Sequence, residues 1–277
     1  GIAALPQFHL ETLAALAETV AGAPAGDFVL MGGGTDVLVK LKQRLLTTSS
    51  IISLSGIAEL ARLEQRGGDI FIGAGVTLHR LETSPLIRVN FPALTQAAAA
   101  VGSPQLRNMG TVGGNVRLDT RCEYFNQPEW PGGFALCYKR GGDRCHVVKG
   151  GNRCYALFCA DTPAALLVLA ARVVITGPAG EREVPLDEFY RDDGLSCCRL
   201  EAAELILGFK LAVQLRRESC YVRFSGRGAI DFPLVGVAIA AEKDGCGVVR
   251  CIRLAATGVR SRPVRLKKLE EALAGAS

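Results

Sequence analysis

Gly32-Gly33-Gly34-Thr35-Asp36-Val37 follows the short apolar run Phe28-Val29-Leu30-Met31, and a second glycine loop reads Gly110-Thr111-Val112-Gly113-Gly114-Asn115. Glycine admits positive φ and close backbone approach, so successive amides can converge on an oxyanion. The first loop is not the fingerprint of the doubly wound dinucleotide fold, because Val37 stands where a third glycine is required. Taken singly, each loop reads equally well as a tight turn or a bulge. Together they offer two amide-rich loops for the two phosphates of a dinucleotide. Thr35 and Thr111 add hydroxyl donors. Asp36 can accept from a hydroxyl but cannot assist a phosphate, since like charges repel.

Composition narrows the class. The chain has 277 residues, 49% apolar and 21% charged, as in an ordinary globular protein of two domains or one large one. Disorder, collagen and a disulfide miniprotein are excluded. A net charge of +5 without any run of five like charges does not point to nucleic acid. No apolar stretch reaches the roughly 20 residues of a membrane span; the longest candidate, 163–175, is interrupted by Arg172. The N-terminal segment lacks a basic region and does not read as a secretory signal. The chain starts on Gly1, so a trimmed start is expected, and a cytoplasmic location is the default expectation. There the disulfide reading of ten cysteines is weak. Five of them, Cys122, Cys137, Cys145, Cys154 and Cys159, crowd into 38 residues, and none precedes them.

Periodicity predicts a helix over 10–23, a strand over 28–31, a short helix or loop over 37–46 and a strand over 51–54. Strands are predicted at 59–62 and 70–74, joined by the turn 66–69, then helices at 77–82 (with Thr77 as N-cap) and 91–100. Between 108 and 159 regular patterning disappears. A structureless stretch of that length in a compact domain is functional or disordered, and something must offset its ordering entropy. A buried helix over 163–171, a strand over 172–176 and a turn at 177–180 follow. The segments 204–215, 220–224, 235–242 and 251–257 read as a mixture of strands and one helix, and 263–274 reads as a helix. A domain boundary is placed between 177 and 192.

The pair GGGTDVLVKLK (32–42) and NMGTVGGNV (108–116) resembles the FAD-binding subunit of the molybdenum hydroxylase family, which includes xanthine dehydrogenase and carbon monoxide dehydrogenase. The likeness continues at 68–78, 160–171 and 204–211, so it covers nearly the whole chain. It implies an α+β fold: a two-lobed FAD-binding domain over 1–177 (small lobe 1–55, larger lobe 56–177) and a C-terminal α+β lobe over 178–277. Family chains continue past a segment like 263–277, so a missing C-terminal piece is expected. The resemblance implies that Met31, Gly32, Gly33, Gly34, Thr35, Asp36, Val37, Gly110, Thr111, Gly113, Gly114 and Asn115 hold FAD. It also places Asp161 and Arg223 near the flavin; for Asp161, a helix N-cap before Thr162-Pro163 reads just as well.

Most family members pass directly from the second loop to the Asp-containing helix. Here about 40 residues, 119–158, intervene. The text DTRCEYFNQPEW, CYKRGGDRCHVV and NRCYA resembles the insertion of the 4-hydroxybenzoyl-CoA reductase branch, whose cysteines bind a 4Fe-4S cluster. The matched thiols are Cys122, Cys137, Cys145 and Cys154, the ligand count of a cubane. Their spacings, 14, 7 and 8 residues, include no C-x-x-C. Spacing alone therefore leaves zinc with four cysteines, or inert thiols, open. Arg121, Lys139, Arg140, Arg144, Lys149 and Arg153 would offset cluster charge or dock an acidic ferredoxin, and Tyr124, Phe125 and Trp130 would pack over the cluster. Cys159 reads as packing or a substitute ligand. Cys197, Cys198, Cys220, Cys246 and Cys251 read as incidental, and His146 as a polar loop residue. With His9 and His79 scattered, no Ser-His-Asp arrangement is supported, and no catalytic residue is assigned.

The resemblance implies an electron relay for a ferredoxin-linked molybdenum oxidoreductase that dehydroxylates 4-hydroxybenzoyl-CoA. Molybdopterin and 2Fe-2S clusters would sit on partner subunits, with ferredoxin as donor. The alternatives are a flavin subunit serving another substrate, or a zinc-stapled flavin-binding module without a relay.

Overall fold

The computed structural model describes residues 5–22, 26–126, 136–201, 203–213 and 217–275. Its three sheets follow one another along the chain. The first is a small parallel sheet of β1 (Gln7–His9), β2 (Phe28–Met31) and β3 (Ser50–Ser53) in the order β1-β3-β2. The helix Leu13–Ala21 makes the crossover from β1, and the Thr12 hydroxyl caps it by accepting from the Ala15 amide at 3.1 Å.

The second sheet has five strands: β4 (Leu63–Arg66), β5 (Asp69–Gly73), β6 (Arg172–Gly177), β7 (Gly180–Pro185) and β8 (Leu205–Ala212), in the order β4-β5-β8-β6-β7. Period-two alternation puts Ile70, Ile72, Val173, Ile175, Phe209 and Leu211 in the core, all fully buried. The strand expected at 59–62 is instead a 3-10 turn, Ala58–Ala61, and the strand begins at Leu63. The reason is local: the Leu60 carbonyl accepts from the Gly75 amide, which pulls this segment out of the ladder.

The third sheet is antiparallel: β9 (Arg217–Phe224), β10 (Val235–Lys243), β11 (Val249–Thr257) and β12 (Val264–Arg265), in the order β12-β11-β10-β9. Its inner face carries Ala238, Ala240 and Ala255, all fully buried. Such small side chains let the wholly buried helix Thr162–Val168 lie close against β10 and β11. The alanine-rich helix Pro92–Ala100 packs on β9 in the same way. The C-terminal helix is shorter than the periodicity predicts, Lys267–Leu273.

The domain boundary expected at 177–192 would cut the second sheet. β8 pairs with both β5 and β6, so that sheet closes only at Ala212, and the architecture changes between β8 and β9. A sheet whose middle strand arrives last in sequence cannot be delimited from local punctuation. Among the described residues no helix is long and apolar enough to cross a membrane.

Candidate functional site

The two glycine loops meet. A Cβ at Gly33 would overlap the Met109 carbonyl oxygen, and one at Gly32 would lie 2.9 Å from Thr111 Oγ1. Only glycine permits this crossing of backbones. Gly34 has φ +74°, the left-handed region glycine occupies freely, and the helix Val37–Lys42 starts just beyond Asp36. Among the described residues none accepts a hydrogen bond from the amides of Gly33, Gly34 or Thr35. Three consecutive amides are thus free for an anion, as the sequence leads one to expect.

The second loop differs from expectation. Its amides are occupied: Val112 donates to the Val76 carbonyl, Gly113 to Ala74 (both 2.9 Å), Gly114 to Thr111 Oγ1 (3.1 Å) and Asn115 to the Thr111 carbonyl (2.9 Å). The loop is a capped turn, the helix Val112–Val116, docked on 74–78. A Cβ at Gly113 would meet Ala74 at 2.7 Å, which fixes that residue as glycine for packing. Gly114 is exposed and offers bare backbone surface beside the first loop. The Asn115 carboxamide oxygen accepts from Thr162 Oγ1 at 2.6 Å and ties the turn to the start of the buried helix.

Asp161 precedes that helix but does not cap it. Its buried carboxylate accepts from Tyr221 Oη at 2.7 Å and from Arg223 Nη1 at 3.4 Å. The capping alternative is therefore excluded. Asp161 and Arg223 come together as expected, and Tyr221, two residues before Arg223 on the same face of β9, completes the cluster. Burial pushes the Asp161 carboxyl above its ordinary range, against the pull of Tyr221 and Arg223; burial and the facing carboxylate raise the Tyr221 hydroxyl. Sequence reasoning missed Tyr221; strand alternation from Arg223 could have found it. Asp161→Ala is expected to cost about 3 kcal/mol, because it leaves the buried Tyr221 hydroxyl without an acceptor and Arg223 with the Asp231 carbonyl but no counter-charge. Asp161→Asn keeps one oxygen for Tyr221 and should cost less. Urea midpoints of the two variants check this ordering.

The cysteine segment leaves and re-enters the fold through one neck, where Arg121 and Leu157 exchange backbone hydrogen bonds of 2.7 and 2.8 Å. Beyond it, Cys122, Cys137, Cys145 and Cys154 all line a single opening of about 270 Å³, solvent at its mouth included. Each is set by a local device. The Cys122 amide donates to Asn126 Oδ1 at 2.8 Å. Cys137 precedes the 3-10 turn Tyr138–Arg140, which ends on left-handed Gly141. Burial raises the Cys145 thiol, but the nearby backbone amides of Tyr155, Val148 and Val147 outweigh it and the thiol is lowered overall. Cys154 is raised, first by burial, then by the charges of Cys145 and Cys122, while the Ala156 amide and Lys139 work the other way. Gly194, which no local pattern singles out, leaves room for Cys154: a Cβ there would lie 2.7 Å from its sulfur.

No group of three His, Cys, Asp or Glu side chains among the described residues converges as a single-ion site. The four thiols share the lining of one opening. Cys159 lines no part of that opening; burial pushes its thiol up to about 11, and it lies among Arg121 and Asp161. Cys197 and Cys198 are free thiols that share a hydrogen bond, their sulfurs 3.7 Å apart. Tyr124, Phe125 and His146 line the opening, with the Tyr124 and His146 rings 5.3 Å apart; Trp130 lies outside the described residues.

The basic residues expected around the thiols divide. Lys139 and Arg144 line the opening. Arg121 turns the other way, to Asp36 of the first glycine loop at 3.0 Å and over the Phe232 ring at 3.9 Å. Arg153 pairs with Asp192. Arg140 donates to the Phe125 carbonyl. Lys40 joins Asp36 (3.0 Å) to Asp119 (2.9 Å), and Asp119 in turn holds Lys139 at 2.6 Å. A chain of ion pairs therefore runs from the glycine loop to the thiols.

Residues 6–211 match the FAD binding domain in molybdopterin dehydrogenase, and residues 220–277 match the CO dehydrogenase flavoprotein C-terminal domain. This chain is a FAD-binding subunit of the molybdenum hydroxylase family. The interval between the two matches coincides with the change from the second sheet to the third. The aldehyde oxidoreductase FAD-binding subunit PaoB of Escherichia coli is 32% identical over 90% of this chain and 80% of its own length. The carbon monoxide dehydrogenase medium chain of Hydrogenophaga pseudoflava is 26% identical over 94% of this chain and 77% of its own. The solved structure of that organism's enzyme superposes with a TM-score of 0.80 at 24% identity, over all of this chain and 82% of the other, which establishes the fold. It is the mixed α/β FAD-binding domain with a separate C-terminal domain.

Proposed function

We propose that this chain is the electron-transfer subunit of a molybdenum oxidoreductase, carrying both FAD and a 4Fe-4S cluster, and most like the corresponding subunit of 4-hydroxybenzoyl-CoA reductase. One observation carries the reading: the four cysteines matched to that branch line one opening, linked by ion pairs to the flavin loop. When bound, the flavin exchanges electrons singly or in pairs and the cluster singly, a pairing suited to a relay between ferredoxin and the 2Fe-2S and molybdenum centres of partner subunits.

The chain's own residues have the following tasks. The free amides of Gly33, Gly34 and Thr35 would hold the pyrophosphate of FAD, with Met31, Gly32 and Val37 framing them. Asp36, pinned by Lys40 and Arg121, would accept from a cofactor hydroxyl. Gly110, Thr111, Gly113, Gly114 and Asn115 would present a flat backbone face. The Asp161–Tyr221–Arg223 cluster would stand on the third-sheet side. Cys122, Cys137, Cys145 and Cys154 would ligate the cluster, and Tyr124 and Phe125 would limit water there. Four thiols lining one opening meet the ligand count of a cubane, and the likeness of 119–158 to the cluster-binding insertion favours it over zinc, which four cysteines would also hold.

A second reading keeps the flavin role and changes the substrate. It is favoured by relatives named for aldehydes and for carbon monoxide. The deciding experiment is anaerobic isolation of the whole complex, with counts of iron, acid-labile sulfide and flavin. Turnover of 4-hydroxybenzoyl-CoA with reduced ferredoxin is then compared with oxidation of an aldehyde. Roughly four iron and four sulfide beyond those of the 2Fe-2S centres, with dehydroxylation, are expected. Zinc without the additional sulfide would sink the cluster, and aldehyde turnover alone would favour the second reading.

A further inference from the structure

We infer that Lys139 is a positioning residue whose buried ammonium, balanced by Asp119, sets the reduction potential of the metal centre held by the four thiols. This rests on the cluster reading above and deepens it. Lys139 lines the same opening as the thiols, yet its side chain is only 7% exposed. Its Nζ is fixed by Asp119 Oδ1 at 2.6 Å, Thr120 Oγ1 at 2.8 Å and the Thr120 carbonyl at 3.0 Å, and it stands 4.6 Å from the Phe125 ring centroid. Its charge is felt at Cys154.

A lysine kept from water costs free energy unless its charge is compensated, and one carboxylate shared with Lys40 compensates it only in part. The remainder of its field falls on the opening. A centre ligated by four thiolates gains a negative charge when it accepts an electron. A fixed positive charge beside it in a region of low dielectric therefore favours the reduced state. Asp119, which holds the ammonium at 2.6 Å and does not itself line the opening, weakens that effect. Sequence shows a basic segment but not this arrangement: Arg121 and Arg153 are turned elsewhere, and Arg144, which also lines the opening, is exposed and paired with Asp143, so its field is screened by water.

The experiment is an EPR-monitored redox titration, with dithionite as reductant, of the intact complex carrying Lys139→Gln, Lys139→Arg or Asp119→Asn. Iron and sulfide are counted first on every preparation. Lys139→Gln is expected to lower the equilibrium constant for reduction of the cluster about tenfold, which for one electron is about 59 mV in the negative direction. Lys139→Arg should restore most of the shift. Asp119→Asn, which keeps the ammonium and removes its counter-charge, should move the midpoint the opposite way. Loosened packing would shift Lys139→Gln and Asp119→Asn in the same direction, so a common direction, or no movement in either, overturns the assignment. If Lys139→Gln fails to retain the cluster, Asp119→Asn decides alone: a midpoint unmoved or lowered overturns it. Absence of additional iron and sulfide from the unaltered complex would instead be a failure of the cluster reading itself.

Discussion

Gly33→Ala is expected to yield a protein that elutes from gel filtration with less than a tenth of the wild-type flavin. The methyl group would overlap the Met109 carbonyl oxygen, and that atom belongs to backbone that cannot swing aside as a side chain would. The crossing of the two loops must open. The consecutive free amides of Gly33, Gly34 and Thr35 would then no longer stand beside the turn formed by Thr111 to Asn115. The rest of that turn is held by its own bonds to 74–78, so the fold should survive with far-ultraviolet dichroism close to normal. Absorbance near 450 nm against protein concentration is the measurement. Full flavin retention in Gly33→Ala would show that the loop crossing is not part of the binding site. Gly34→Ala is the milder companion: its strain arises from φ +74°, which costs roughly 1 kcal/mol for a residue with a Cβ.

Cys145→Ser should separate the two prosthetic groups. Cys145 lines the opening with the other three thiols, and the nearby backbone amides of Tyr155, Val148 and Val147 favour its thiolate against burial. A serine oxygen is a poor ligand to a cluster, and the segment between the Arg121–Leu157 neck has little apolar core of its own; its order would rest on the metal cross-link. The expected outcome is loss of most of the additional iron and sulfide, new protease cuts between 122 and 154, and flavin content near wild type. Flavin should remain because the glycine loops are braced by 74–78 and by each other. Wild-type iron and sulfide in Cys145→Ser would remove this residue from the ligand set. Loss of flavin along with the cluster would instead mean that the Asp36–Arg121 and Lys40–Asp119 pairs make the two sites one cooperative unit.

Much of this was legible in the chain because it rests on local rules. A glycine loop after a short strand, a capping threonine at 77, alternating Ile70 and Ile72, and a buried alanine-rich helix each follow from residue type and spacing. The cysteine segment betrayed itself by its loss of periodicity. Less legible was the state of the amides: the loops are nearly alike in composition, yet one leaves three donors free and the other uses two in docking on Ala74 and Val76 and two on Thr111 within its own turn. Nothing in the text GTVGGN distinguishes those outcomes, since the acceptors are the carbonyls of Ala74 and Val76 and the hydroxyl of Thr111 itself.

The sequence by itself determined which groups are available: glycines where backbones must cross, four thiols without a core around them, and an aspartate ahead of a buried helix. The tertiary structure alone decided their company. It inserted β8 between strands from either side of the cysteine segment and moved the domain boundary. It turned Asp161 from a cap into the acceptor of Tyr221, and it aimed Arg121 at the flavin loop while leaving Lys139 with the thiols. Those choices depend on which segments far apart in sequence share one face of a sheet or one buried charge. Such contacts are fixed by packing and by the need to pair every buried polar group, and local periodicity does not encode either.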